Sequence, residues 1–165
     1  MELNSLKELY VDQLKDLWSA EKQLTRALPK MAKAATSPDL KKAFEDHEKM
    51  TQEQIKRLES VMEKMGRSPR GKKCIGMEGL IKEGQELMEE DAEPEVLDAG
   101  LISAAQHVEH YEIAGYGTVR TYARLLGDEE AAGLFQKTLD EEAATDRKLT
   151  ALAERINVKA KQPSG

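Results

Sequence analysis

Residues 101–119 read LISAAQHVEHYEIAGYGTV, and the spacing of their apolar positions decides the fold. Leu101, Ile102, Ala105, Val108, Ile113, Tyr116 and Val119 recur at intervals of three and four, the period of one helical face. Glu109 and Glu112 fall on that same face, one turn apart. A carboxylate on a core-facing stripe is costly unless something positive meets it there. The stretch therefore predicts both a packed helix and a reason for its interior to be charged.

The helix is expected to begin at Pro94, a good first-turn residue, with Val96 and Leu97 inward, and to run to about Leu126 with Gly127 just past its end. Asp128 then caps another helix, whose stripe is Ala131, Leu134, Phe135, Thr138, Glu142, Thr145, Asp146, Leu149, Leu152 and Ile156. The N-terminal half carries a matching pair. From Leu3 to Ala35 the inward set is Leu6, Leu9, Tyr10, Leu14, Leu17, Glu21, Leu24, Leu28 and Met31, with Pro29 expected to kink the helix or start a new segment. Ser37 or Thr36 is the expected cap of the next helix, with Pro38 following. That helix spans about Asp39 to Met65, with His47, Met50, Thr51 and Gln54 in its stripe, and Gly66 ends it. Almost thirty residues separate it from Pro94, far more than the roughly 2 to 8 usual between bundle helices. This connection holds the basic loop GRSPRGKKCIG and a shorter amphipathic segment, MEGLIKEGQELMEED. The pattern predicts an all-α fold: an antiparallel four-helix bundle with a long crossover carrying a short extra helix. One domain over residues 1–160 and a frayed tail over 161–165 complete the expectation.

Composition agrees. Aromatic residues make up only 4% of the 165, too few for a β-rich fold. A net charge of −6 argues against sequence-independent binding to nucleic acid or to an anionic membrane surface. Cys74 is the single cysteine, so no intramolecular disulfide can form, and the opening MELNSLKELY is not a signal sequence. No apolar run approaches the roughly 18 residues of a membrane span. A soluble, cytoplasmic protein is expected. Cys74 lacks an evident activating base, although Lys72 and Lys73 would favour its thiolate. The loop cations Arg67, Arg70, Lys72 and Lys73 read either as a solvated surface or as a dock for an acidic partner.

Four helices each place an ionisable side chain near mid-length: Glu21, His47, Glu109 with Glu112, and Glu142 with Asp146 one turn on. Hard oxygen donors plus an imidazole suit two iron or manganese ions, whose charge would let the carboxylates stay ionised in a dry interior. The alternative is that these are polar core groups satisfied by local pairing, as a lone inward Glu or His usually is. Convergence from four helices at similar depth favours the metal pair.

The segments YVDQLKDLWSAEKQLTRALPKMAKAA, CIGMEGLIKEGQELME, ISAAQHVEHYEIAGYGTVRTYARLLGDEEAA and LDEEAATDRKLTALA resemble the YciF-like family of bacterial ferritin-like proteins, over nearly the whole chain. SAEKQL at 19–24 and VEHYEIAGYGT at 108–118 carry most of the resemblance. It implies a ferritin-like bundle, a dinuclear metal centre, a homodimer and a stress-associated role, and no particular enzymatic activity. By position it assigns Glu21, His47, Glu109, Glu112 and Glu142 as ligands, with Asp146 alongside. One departure is visible: where the family pattern has His-x-x-Glu-Thr, this chain reads HEKMT, with Met50 in the carboxylate's place. That side of the site is then weakened, asymmetric, or completed by Glu53 or water. His110 is expected to donate a supporting hydrogen bond rather than to coordinate. The chemistry implied is peroxide or oxygen handling or ferrous-ion oxidation, with Tyr10 or Tyr116 near the metals. The other reading is a non-catalytic stress protein with a structural or degenerate site.

Overall fold

The structure is a computed structural model that describes residues 2–161, all of whose regular elements are helices: α1 (Leu6–Ala34), α2 (Pro38–Lys64), α3 (Ile75–Glu89), α4 (Pro94–Leu125) and α5 (Glu129–Lys161). Local chemistry sets the ends. Ser5 and Ser37 cap α1 and α2 by accepting from the backbone N–H groups of Glu8 and Leu40, and Pro38 and Pro94 open α2 and α4. After α2 the N–H of Gly66 donates to Glu63 and that of Arg67 to Met62, and after α4 those of Gly127 and Asp128 donate to Arg124 and Ala123. Gly66 and Gly127 take φ of 65° and 81° there, a left-handed backbone that any side chain would strain. Asp128 caps α5 through the Ala131 N–H at 2.9 Å.

Pro29 does not break α1, which continues through it for another turn. The proline lies on the exposed side of the helix, where water can satisfy the carbonyl that loses its partner. Val96 is 46% exposed rather than inward; its neighbour Asp98 is buried instead. Asp98 accepts from Thr36 N, Thr36 Oγ1 and Ser37 N at 2.7–2.8 Å, tying the start of α4 to the start of α2. Of the tail expected to fray, Lys161 is the last residue of α5 and 162–165 lie outside the described residues.

α1 packs on α2 and α4 on α5, the two pairs meet through α1 with α4 and α2 with α5, and α3 lies across α1 and α4. The apolar interior is divided. One cluster gathers Leu24, Leu28, Leu40, Phe44, Leu101, Ile102, Leu149 and Leu152; the other gathers Tyr10, Leu14, Leu17, Leu58, Met62, Tyr116, Val119 and Phe135. In sequence, each of the four long helices α1, α2, α4 and α5 passes from one cluster to the other through buried polar residues.

Candidate metal centre

Those polar residues are Glu21 on α1, His47, Thr51 and Gln54 on α2, Glu109 and Glu112 on α4, and Thr138 and Glu142 on α5, all buried. Their burial follows from the stripes themselves: each replaces a leucine-sized side chain on a face otherwise apolar, so the helix cannot bury its neighbours and leave it out. His47, Glu109, Glu112 and Glu142 each offer one ligand atom, and these atoms lie within 4.8 Å of one another. His47 Nδ1 stands 3.0 Å from Glu109 Oε1, and its Nε2 3.7 Å from Glu142 Oε2 and 3.9 Å from Glu112 Oε2. Glu21 stands beside them, with Oε1 accepting the Tyr116 hydroxyl at 2.6 Å.

Both carboxylate oxygens of Glu109, Glu112 and Glu142, together with Glu21 Oε2 and His47 Nε2, are buried with no hydrogen-bond partner. Buried polar atoms are normally paired, and carboxylates most of all. So many orphaned acceptors facing one another are the arrangement a cation satisfies, and oxygen donors with one imidazole fit a hard divalent ion.

Electrostatics tell the same story. Burial, and then the charge of Glu142, push Glu21 up to about 8 against the opposing hydrogen bond from Tyr116. Burial and Glu142 likewise hold Glu109 well above the ordinary carboxylate range, and burial with the charges of Glu142 and Glu21 does so for Glu112. Burial would raise Glu142 too, but the closeness of Glu109, which holds its proton, and of the His47 ring outweighs it and brings Glu142 to about 2. Metal-free, the layer thus keeps Glu142 ionised and holds protons on its neighbours. Tyr116 is also raised, by burial and the surrounding carboxylates, so it remains a phenol that donates.

Not every expected residue joins this group. The Asp146 carboxylate turns outward, where Oδ2 meets His110 Nε2 at 3.1 Å and Oδ1 accepts from Gln106, although it is near enough to add to the charges acting on Glu109. His110 therefore supports Asp146 and not Glu109. Glu53 is exposed and paired with Lys56 at 2.6 Å, so it does not complete the α2 side. Met50 is half-buried, and its sulfur lies 3.9 Å from the Thr145 hydroxyl. Tyr10 packs edge-on against Phe135 in one apolar cluster, with its hydroxyl unpartnered.

Cys74 is fully buried as the cap of α3: its sulfur accepts from Met77 N at 3.3 Å and lies 3.0 Å from the Tyr111 hydroxyl, which donates to Asp16 at 2.5 Å. Burial pushes the thiol up. Lys72 and Lys73 do not activate it, because they pair with Asp12 and Glu78. Sequence reasoning missed this Asp16–Cys74–Tyr111 cluster and the Asp98 cap, since each joins residues tens of positions apart.

The family described as Domain of unknown function (DUF892) matches residues 5–161. Protein YciF of Escherichia coli K12 is 48% identical over 162 residues, covering 97% of this chain and 98% of its own. The crystal structure of that organism's stress protein YciF superposes with a TM-score of 0.92 at 47% identity, covering 95% of this chain and 99% of the other. YcfI of Rhodopseudomonas palustris gives 0.87 at 42% identity, with 90% and 95% covered. A protein of Xanthomonas campestris, 23% identical with a TM-score of 0.75 over 93% and 94% of the two chains, shares the fold. With a family match across nearly its full length and a relative identical at almost half its positions, this chain belongs to the DUF892 family, alongside YciF.

Proposed function

We propose that the chain is a ferritin-like four-helix bundle whose buried layer holds two iron or manganese ions and that it handles peroxide, oxygen or ferrous-ion oxidation during bacterial stress. The observation that carries this reading is the set of unpartnered oxygens on Glu21, Glu109, Glu112 and Glu142 around His47. Four ionised carboxylates bring four negative charges into a dry interior, and two divalent ions balance them. A redox-active pair would supply electrons to peroxide or oxygen. The chain's own residues do the rest. Glu109, Glu112 and Glu142 would bind in the space between α2, α4 and α5, His47 would give the single α2 ligand, and Tyr116 would orient Glu21 through its hydroxyl. The flanking apolar clusters keep bulk water from the layer. The stress association is supported by the name of the Escherichia coli relative, and a cytoplasmic homodimer is part of the same reading.

The test is elemental analysis of iron, manganese and zinc in untagged protein, followed by peroxide addition to the loaded form. About two redox metals per chain and a peroxide-dependent absorption change are expected; absence of metal after anaerobic loading with ferrous or manganous ion would overturn the reading. A second reading, a metal pair that only neutralises the layer in a non-catalytic protein, is favoured by Met50: α2 offers a thioether where a carboxylate would stand. Metal at the same stoichiometry without any response to peroxide would select it.

A further inference from the structure

On the solvent side of α4, outside the buried layer, His107 and His110 line one depression of about 200 Å³ together with Ser103 and Gln106. They are three residues apart and so neighbours on the helix surface. Each ring has one nitrogen committed. His107 Nδ1 lies 2.7 Å from the Ser103 carbonyl oxygen, which can only accept, so Nδ1 carries the proton and Nε2 presents a lone pair. His110 Nε2 lies 3.1 Å from the Asp146 carboxylate, again an acceptor, so the lone pair of His110 is on Nδ1. Asp146 is itself fixed by Gln106, whose amide also bonds Thr150 at 2.9 Å.

A carboxylate behind an imidazole, which in turn presents its other nitrogen outward, is the support that metal-binding histidines ordinarily have. His110 has that support from Asp146, His107 has a backbone carbonyl in its place, and the two free lone pairs beside one depression are donors suited to a divalent transition-metal ion, completed by water. Asp146 links this seat to the buried layer, since it pairs with His110 and is near enough to add to the charges acting on Glu109. We propose that His107 and His110, backed by Asp146, form a solvent-facing site that receives a divalent cation and delivers it to the buried carboxylates. This role rests on the reading that the buried layer takes metal.

The chain has three histidines, one in the buried layer and two outside it, so ring signals distinguish the sites directly. The experiment is a time-resolved zinc titration of metal-free protein followed by histidine-ring NMR, repeated with His107→Ala and His110→Ala. Both positions are surface-exposed, so the fold survives either change. The first zinc additions should move His107 and His110, with His47 following; His110→Ala should slow the His47 response about tenfold at unchanged final occupancy. A His47 response with the outer rings still, or one whose timing ignores the substitutions, would overturn the delivery role and leave the buried centre standing. Movement of His107 and His110 while His47 never responds would remove the buried-metal reading, and the delivery role with it, leaving an isolated surface site.

Discussion

Glu21, with Glu109 and Glu112 raised in the same direction, shapes the pH behaviour of the metal-free protein. Its carboxyl is held at about 8 when folded against an ordinary 4.5. Below that ordinary value it is protonated in both states. Between the two values the folded chain keeps a proton that the unfolded chain gives up, so stability falls as pH rises through the window. Metal-free protein should therefore lose melting temperature from about pH 5 to pH 8 in calorimetry, and saturating manganese should flatten or reverse the trend; a metal-free midpoint that rises across this range would contradict the burial assigned to Glu21. Glu112→Gln separates the same forces. Removing one ionisable group from a crowded layer should raise metal-free stability by roughly 1 kcal/mol in denaturant unfolding while weakening metal binding more than tenfold. A loss of stability without metal would mean the carboxylate already had a partner. Cys74 makes a third case: buried, with its thiol raised, it should react with an aromatic disulfide reagent only as fast as the protein opens, and rapid native labelling would show the cap of α3 to be open.

At the level of elements, the four long helices were legible because their stripes keep a three-and-four period and their ends carry Ser, Pro, Gly and Asp where caps need them. Pro29 starts no new helix for a local reason: it sits on the exposed side of α1, where water can take up the carbonyl that an interior proline leaves without its partner. Asp98 was illegible because its partners, Thr36 and Ser37, are about sixty residues away. Yet it holds one end of the fold together. Asp98→Ala should cost roughly 2 to 4 kcal/mol in denaturant unfolding, since three hydrogen bonds to a buried charged acceptor are lost and two backbone N–H groups at the start of α2 are stranded. A cost below about 1 kcal/mol would mean that water replaces the carboxylate. The seat of α3 rests on close approach: a Cβ on Gly76 would stand 2.7 Å from Cε2 of the Tyr111 ring, which cannot swing aside without leaving Asp16. Gly76→Ala should destabilise by about 1 to 3 kcal/mol and loosen α3 selectively in hydrogen exchange.

Across the whole molecule, the convergence of Glu21, His47, Glu109, Glu112 and Glu142 could be anticipated from their depth along each helix. The outward turn of Asp146 could not, because residues one turn apart share a face only approximately, and whether a short side chain points in or out depends on its neighbours across the α4–α5 seam. No described helix is long and apolar enough to cross a membrane. The divided interior has a consequence for how the chain finds its alignment. Two apolar blocks separated by a charged band cannot be slid past one another: moving any long helix by one turn, about 5.4 Å, would press a carboxylate against leucines such as Leu17 or Leu24 and strand an apolar side chain among the acids. The band thus works as an index mark on four otherwise similar rods, disfavouring neighbouring registers that a uniformly greasy interior would tolerate.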